Sequence, residues 1–153
     1  QLDLEDVKPF EEIVLSPGAV FPDVAGLLIY IIWTYFFSKL FFWVCLGLQA
    51  IGEVFGGSLI NLDQVYHGIS TTIKVLKQDV LFKGIPKEIE VGRYHSWVVH
   101  PDLPKELEAT SIDENGQVMS LRHKTYAVTA VQFHPESVLT PHGKQMLKNW
   151  LDR

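Results

Sequence analysis

Cys45 is the chain's single cysteine, and it stands where an apolar run, Leu40-Phe41-Phe42-Trp43-Val44, gives way to Leu46-Gly47-Leu48-Gln49-Ala50-Ile51. The run reads as a short buried strand and the following stretch as the start of a helix. A thiol at that junction faces the unpaired N–H groups and positive dipole end of the helix, which favour a thiolate. Farther along, a second apolar strand ends in Phe133-His134-Pro135-Glu136-Ser137, a histidine and a carboxylate on either side of a proline. A nucleophile, a base and a group to orient the base are what covalent acyl transfer requires. A lone cysteine is by default a small buried hydrophobe; the His-Pro-Glu segment is what lifts Cys45 above that default.

Other polar residues carry less. His67, His95 and His100 have no metal-like spacing and no second cysteine to join them, so neither a metal nor a cofactor is expected. His95-Ser96 has the form of a base beside a nucleophile. Gly56-Gly57 lacks the following lysine and hydroxyl residue of a phosphate loop and reads as a helix end. His123 and Lys124 fall in an expected hairpin turn, exposed to solvent.

The elements that must hold the candidate triad follow from pattern. At 153 residues and 17.4 kDa the chain is expected to form one domain, 1–153, with a sizeable core. A net charge of −5 and a pI near 5.6, with no run of like charges, give no footprint for nucleic acid or an anionic membrane. One cysteine fits a reducing compartment, and the acidic start Gln1-Leu2-Asp3-Leu4-Glu5-Asp6 is no signal peptide, so the expected location is cytoplasmic. Leu27 to Leu48 holds only one charge, Lys39, in 22 residues, which meets the length rule for a membrane span. Ser38-Lys39 divides it into pieces of 11 and 9 residues, and helix followed by strand is the better reading.

Ile13-Val14-Leu15 is an expected strand ending at the turn Ser16-Pro17-Gly18. Pro22 opens a helix to about Phe37, and 40–44 is a strand leading into helix 46–55. Further strands are expected at Thr71–Leu76, Glu88–Arg93, Trp97–Val99, Leu107–Ile112, Val118–Arg122 and Tyr126–Phe133, with Glu114-Asn115-Gly116 as a hairpin turn. A last amphipathic helix, about Pro141 to Leu151, should bury Met146, Leu147, Trp150 and Leu151. The fold class is therefore α/β: an open, twisted, mostly parallel sheet flanked by helices, with an antiparallel extension.

Four segments now carry a resemblance. Ile13-Val14-Leu15-Ser16-Pro17-Gly18, Cys45-Leu46-Gly47-Leu48-Gln49-Ala50, Arg93-Tyr94-His95-Ser96 and Gln132-Phe133-His134-Pro135-Glu136-Ser137 stand in the order seen in class I glutamine amidotransferases. The stretch 51–153 is most similar to the glutaminase subunit of anthranilate synthase or aminodeoxychorismate synthase. The resemblance implies a flavodoxin-like sheet and glutamine hydrolysis. Cys45 would attack the side-chain amide, His134 would act as base and acid, and Glu136 would orient His134. Gln49 and the backbone at Ser96 and Trp97 would hold the glutamine, while Gly18 and the Leu46 N–H would frame the oxyanion hole. The implied partner is a chorismate-using synthase that receives the ammonia.

The chain also departs from that family. The elbow Gly-x-Cys-x-Gly has Trp43 at its first glycine, which on strand alternation should share the face of Cys45 and crowd the helix or the glutamine pocket. The family loop Ser-Pro-Gly-Pro-Gly reads Ser16-Pro17-Gly18-Ala19-Val20, and valine resists backbone angles that glycine supplies. A misplaced oxyanion donor costs about 10²–10³ in rate. Relatives begin with a strand–helix–strand unit ahead of the position of Gln1. On helix 22–37, Ala25, Leu28, Ile32 and Tyr35 form a core stripe, and Ile29, Trp33, Phe36 and Phe37 add a second where relatives are mostly polar.

Two expectations follow. One is a glutaminase domain, its activity impaired by Trp43 and Val20. The other is a remodelled, engineered and inactive scaffold whose aromatic face of Phe21, Ile29, Tyr30, Trp33, Phe36, Phe37, Phe41 and Trp43 meets a second copy or a designed protein partner.

Overall fold

The computed structural model describes residues 3–16 and 22–153. Gly18, Val20 and Phe21, and the side chain of Ala25, lie outside what is described, so expectations resting on them stay expectations.

Along the chain, α1 (Leu4–Val7) and β1 (Glu12–Leu15) precede the long helix α2 (Pro22–Tyr35), the strand β2 (Leu40–Val44) and α3 (Leu46–Val54). Then come β3 (Leu59–Asn61), β4 (Ile69–Val75), a 3-10 turn (Val80–Phe82), β5 (Glu88–Arg93), β6 (Trp97–Val99), β7 (Leu107–Asp113), β8 (Val118–His123), β9 (Val128–Val131) and α4 (Gly143–Leu151). Seven strands form one sheet in the order β1-β2-β9-β8-β7-β4-β5, and β3 pairs antiparallel with β6 apart from it. β1, β2 and β9 run parallel, the connection from β1 to β2 passing through α2. The β9–β8, β8–β7, β7–β4 and β4–β5 pairs are antiparallel. The expected α/β sheet with an antiparallel extension is present, and its balance is mixed because hairpins, not helical crossovers, join the strands after β4.

The apolar stretch 27–48 folds as helix, turn and strand. Its one charge supplies the turn: Lys39 Nζ donates to the carbonyls of Lys8 at 2.9 Å and Phe10 at 2.5 Å, tying the end of α2 to the segment before β1. No helix among the described residues is long and apolar enough to cross a membrane.

Strand alternation sorts β2 between two cores. Phe41 and Trp43 join Leu28, Ile31, Ile32, Leu48 and Ile51 under α2 and α3. Phe42 and Val44 join Phe82, Met119, Phe133, Met146 and Trp150 under α4 and the 3-10 turn. Phe41 and Trp43 are wholly buried, so they leave the expected aromatic surface. Ile29 and Phe36 are half-buried, whereas Tyr30, Trp33 and Phe37 are exposed. Phe36 packs edge-on against Phe55 and Tyr126, closing over His123. His123 is therefore buried, not solvated, and its Nδ1 accepts the N–H groups of Thr125 and Tyr126. Leu151 is 57% exposed, contrary to the amphipathic reading, because α4 buries only Gly143, Met146 and Trp150.

Candidate active site

β2 and β9 are adjacent parallel strands with Val44 opposite Val131, so their C-terminal ends deliver Cys45 and the 132–136 segment to one place. The crevice beyond the carboxyl ends of parallel strands is where open α/β sheets bind ligands. Cys45 sits between β2 and α3 with φ 55° and ψ −102°, the one non-glycine residue with positive φ among those described. Such a conformation costs of order 1–3 kcal/mol. The surroundings hold it: Cys45 N–H donates to Val131 O at 2.7 Å, and its carbonyl accepts the N–H groups of Leu48 and Gln49. This sharp strand-to-helix turn is the geometry that lifts a nucleophile out of a sheet.

The turn overturns the face predicted by alternation. Cys45 packs against the core of Phe42 and Val44, whereas Trp43 faces the opposite core, against α3. Trp43 thus crowds the helix, as one of its two expected positions required. Its Nε1 is buried without a hydrogen-bond partner.

Burial decides the state of the thiol. Burial opposes the thiolate that the helix end favours: desolvation pushes the Cys45 thiol up to about 11, with the Glu136 charge acting the same way. The Leu46 N–H and the Gln132 side chain pull it down by less. Gln132 Nε2 points at Sγ from 3.6 Å.

His134 and Glu136 pair directly, Nδ1–H donating to Oε1 at 2.5 Å. That bond leaves Nε2 as the basic nitrogen. The histidine backbone is pinned by a ring of hydrogen bonds. His134 N–H donates to Gly92 O at 3.0 Å, Gly92 N–H donates to Thr140 Oγ1 at 2.9 Å, and Thr140 Oγ1–H donates to His134 O at 2.7 Å. Tyr94 lies edge-on to the His134 ring and shares a hydrogen bond with Ser137.

Gln49 is buried with Nε2 donating to Trp97 O at 2.9 Å and to Gln132 Oε1 at 3.3 Å. Ser96 O accepts Leu62 N–H at 2.7 Å, so the carbonyls of Ser96 and Trp97 both already hold protein donors. His95 is stacked on Tyr66 and bonded to Arg93, and its burial beside that guanidinium lowers it to about 4. Among the described residues no group of acids, histidines and cysteine could hold a metal ion.

Gln132 links Cys45 to Gln49, which holds the Trp97 carbonyl, and the Leu46 N–H faces the sulfur. Gln132 had no role assigned from sequence, although its place directly before Phe133-His134 is a signal that could have found it. Arg93 and Thr140 were likewise unassigned.

Comparison with known proteins agrees with this geometry. The family model for class-I glutamine amidotransferases matches residues 1–153. The chain is 40% identical to aminodeoxychorismate synthase component 2 of Escherichia coli, over 99% of this chain and 80% of that protein. It is 39% identical to anthranilate synthase component 2 of Pseudomonas aeruginosa, over 99% of this chain and 79% of that one. Among solved structures, a GMP synthase-like protein of Thermoplasma acidophilum superposes with a TM-score of 0.87 at 27% identity, covering 99% of this chain and 76% of that one. The strained cysteine elbow, the His-Glu pair beyond the neighbouring strand and the match over residues 1–153 place this chain in the class-I glutamine amidotransferase family.

Proposed function

We propose that the chain is a glutaminase domain that hydrolyses glutamine and passes ammonia to a chorismate-using synthase. The observation that carries the reading is the placement of Cys45, at a strained elbow, and of His134, held by Glu136, beyond the ends of adjacent parallel strands. With its thiol protonated at rest, Cys45 needs a base at the moment of attack. His134 Nε2 takes the Sγ proton as Sγ bonds to the amide carbon, and returns it to the departing nitrogen, which leaves as ammonia. Water, deprotonated by the same nitrogen, then cleaves the thioester to give glutamate and restore the thiol. Glu136 keeps Nδ1 protonated and stabilises the imidazolium in both steps. The Leu46 N–H beside the sulfur supports its role as an oxyanion donor, with Gly18 as the other. The synthase partner is supported by the two component 2 relatives.

The test is glutamate release from glutamine, with Cys45→Ser as control. Release by the unsubstituted chain that the serine variant abolishes is expected; equal release from both overturns the reading. Impairment by Trp43 is set against the placement of that indole in the core opposite the one Cys45 packs on. Trp43→Gly should then leave glutamate release no faster.

A second reading, a remodelled scaffold that binds itself or another protein, is favoured by Tyr30, Trp33 and Phe37, each more than half exposed on and just beyond α2. Sedimentation at micromolar concentration tests it: association lost in Trp33→Lys supports the reading, and a monomer in both forms sinks it.

A further inference from the structure

Arg93, at the end of the edge strand β5, lies 1% exposed with every nitrogen of its guanidinium engaged. Nη1 pairs with Asp113 Oδ2 at 3.0 Å, Nη2 donates to Gln117 Oε1 at 3.1 Å, and the plane stacks on Tyr66, 3.5 Å from the ring centroid. Nη1 also donates to Thr71 Oγ1 at 3.4 Å, and Nε–H points at His95 Nε2 from 3.0 Å. An arginine cannot deprotonate, so His95 Nε2 must be the acceptor and the ring proton must sit on Nδ1. Nδ1–H then donates to Trp97 O at 2.9 Å.

The same carbonyl accepts Gln49 Nε2 at 2.9 Å. A carbonyl offers no proton, so the Gln49 amide can face it only with its nitrogen. The second Nε2 proton goes to Gln132 Oε1, and Gln132 Nε2 goes on to Cys45 Sγ. Gln49 Oε1 makes no hydrogen bond among the described residues, both Gln49 bonds being made by Nε2. An ordered set of donors thus runs from Asp113–Arg93 through His95 and the Trp97 carbonyl to Gln49 and Gln132, and ends at the nucleophile.

We propose that Arg93 and His95 are positioning residues for glutamine: through the Trp97 carbonyl they fix the amide of Gln49 with Oε1 turned to the site, where it accepts from N–H groups of the substrate. The inference rests on the glutaminase reading above. A merely structural role for His95 would be to satisfy the buried Arg93, and two substitutions separate the roles. The amide nitrogen of asparagine reaches about where Nδ1 lies, so His95→Asn keeps the donor to Trp97 O and loses the acceptor for Arg93. Glutamine reaches about where Nε2 lies, so His95→Gln keeps the acceptor and loses the donor.

The experiment follows saturable labelling of Cys45 by a chloroketone analogue of glutamine, in which Sγ displaces chloride, with iodoacetamide as a control for bare thiol reactivity. His95→Gln is expected to raise the half-saturating analogue concentration about tenfold, the scale of one lost hydrogen bond, with the maximal labelling rate unchanged. His95→Asn should stay within about threefold of the unsubstituted chain. Equal half-saturation in the unsubstituted and glutamine forms, or asparagine no better than glutamine, overturns the inference alone. Labelling of the unsubstituted chain that never saturates overturns the glutaminase reading and takes this inference with it. Nitrogen NMR of the unsubstituted chain tests the tautomer on which the proposal stands even if a variant fails to fold. A neutral His95 with its proton on Nδ1 at neutral pH is expected, and a proton on Nε2 overturns the proposal.

Discussion

Gly47 stands against the indole of Trp43 with no room for a side chain: a Cβ at Gly47 would lie 2.8 Å from both Cβ and Cε3 of Trp43. The close approach of β2 and α3 that frames Cys45 is thus made by a glycine closing onto a tryptophan. Glycine remains obligatory on the helix side, and the space beneath it is filled by a side chain buried completely.

Gly47→Ala is therefore expected to destabilise the chain by about 1–3 kcal/mol through overpacking. Trp43→Phe should remove part of that penalty, since it takes away Cε3 of the indole while keeping Cβ. Urea denaturation of both single variants and the double variant gives the coupling between them. Strict additivity would show that the contact is not what makes glycine necessary.

Thr140 is buried and joins Gly92 N–H to the His134 carbonyl. Thr140→Val keeps the shape and leaves the Gly92 N–H unpaired, at a cost of about 1–3 kcal/mol. It also frees the backbone that aims His134. The expected result is a fall in glutamate release with little change in KM, and recovery in Thr140→Ser. A valine variant that melts early but turns over normally would reduce Thr140 to a structural role.

The strand, elbow and helix around Cys45 were legible because an apolar run ending at a single cysteine has few other readings, and His134 with Glu136 followed from their spacing. The face of Cys45 was not, since a residue at positive φ breaks the two-residue period on which alternation depends. α1 and β3 are too short to carry a pattern. His123 read as a turn residue because its shell of Phe36, Phe55 and Tyr126 is assembled from three separate parts of the chain. The Arg93–Asp113 pair was hidden for a related reason: its partners lie on β5 and β7, with β4 between them. Charge spacing along a sequence says nothing about which strand will intervene.

Acid should weaken the fold through the same histidines. The folded-state value of His95, about 4, lies below the ordinary 6.5, so the unfolded chain takes up that proton first. Stability is fully present above about pH 6.5 and is lost as pH falls toward 4, by up to about 3 kcal/mol from this group. Burial lowers His123 as well, which adds in the same direction. Urea midpoints between about pH 7.5 and 4.5 should therefore decline more steeply for the unsubstituted chain than for His95→Asn, which has nothing to titrate there. Parallel curves would show that protonating His95 costs the fold nothing.

Cys45 without glutamine should behave as a masked nucleophile. Its thiol is raised to about 11 by burial, so alkylation by iodoacetamide should climb about tenfold per pH unit from roughly pH 7 to 9, with no plateau. Two variants should move that reactivity in opposite directions. Gln132→Leu removes the donor that faces Sγ and should slow alkylation at a given pH; Glu136→Gln removes a charge that opposes the thiolate and should hasten it. A plateau below about pH 8 would mean that the helix N-terminus, not burial, sets the state of the sulfur. The triad would then begin from a preformed thiolate, and His134 would act first as the acid for the departing nitrogen and then as the base for water.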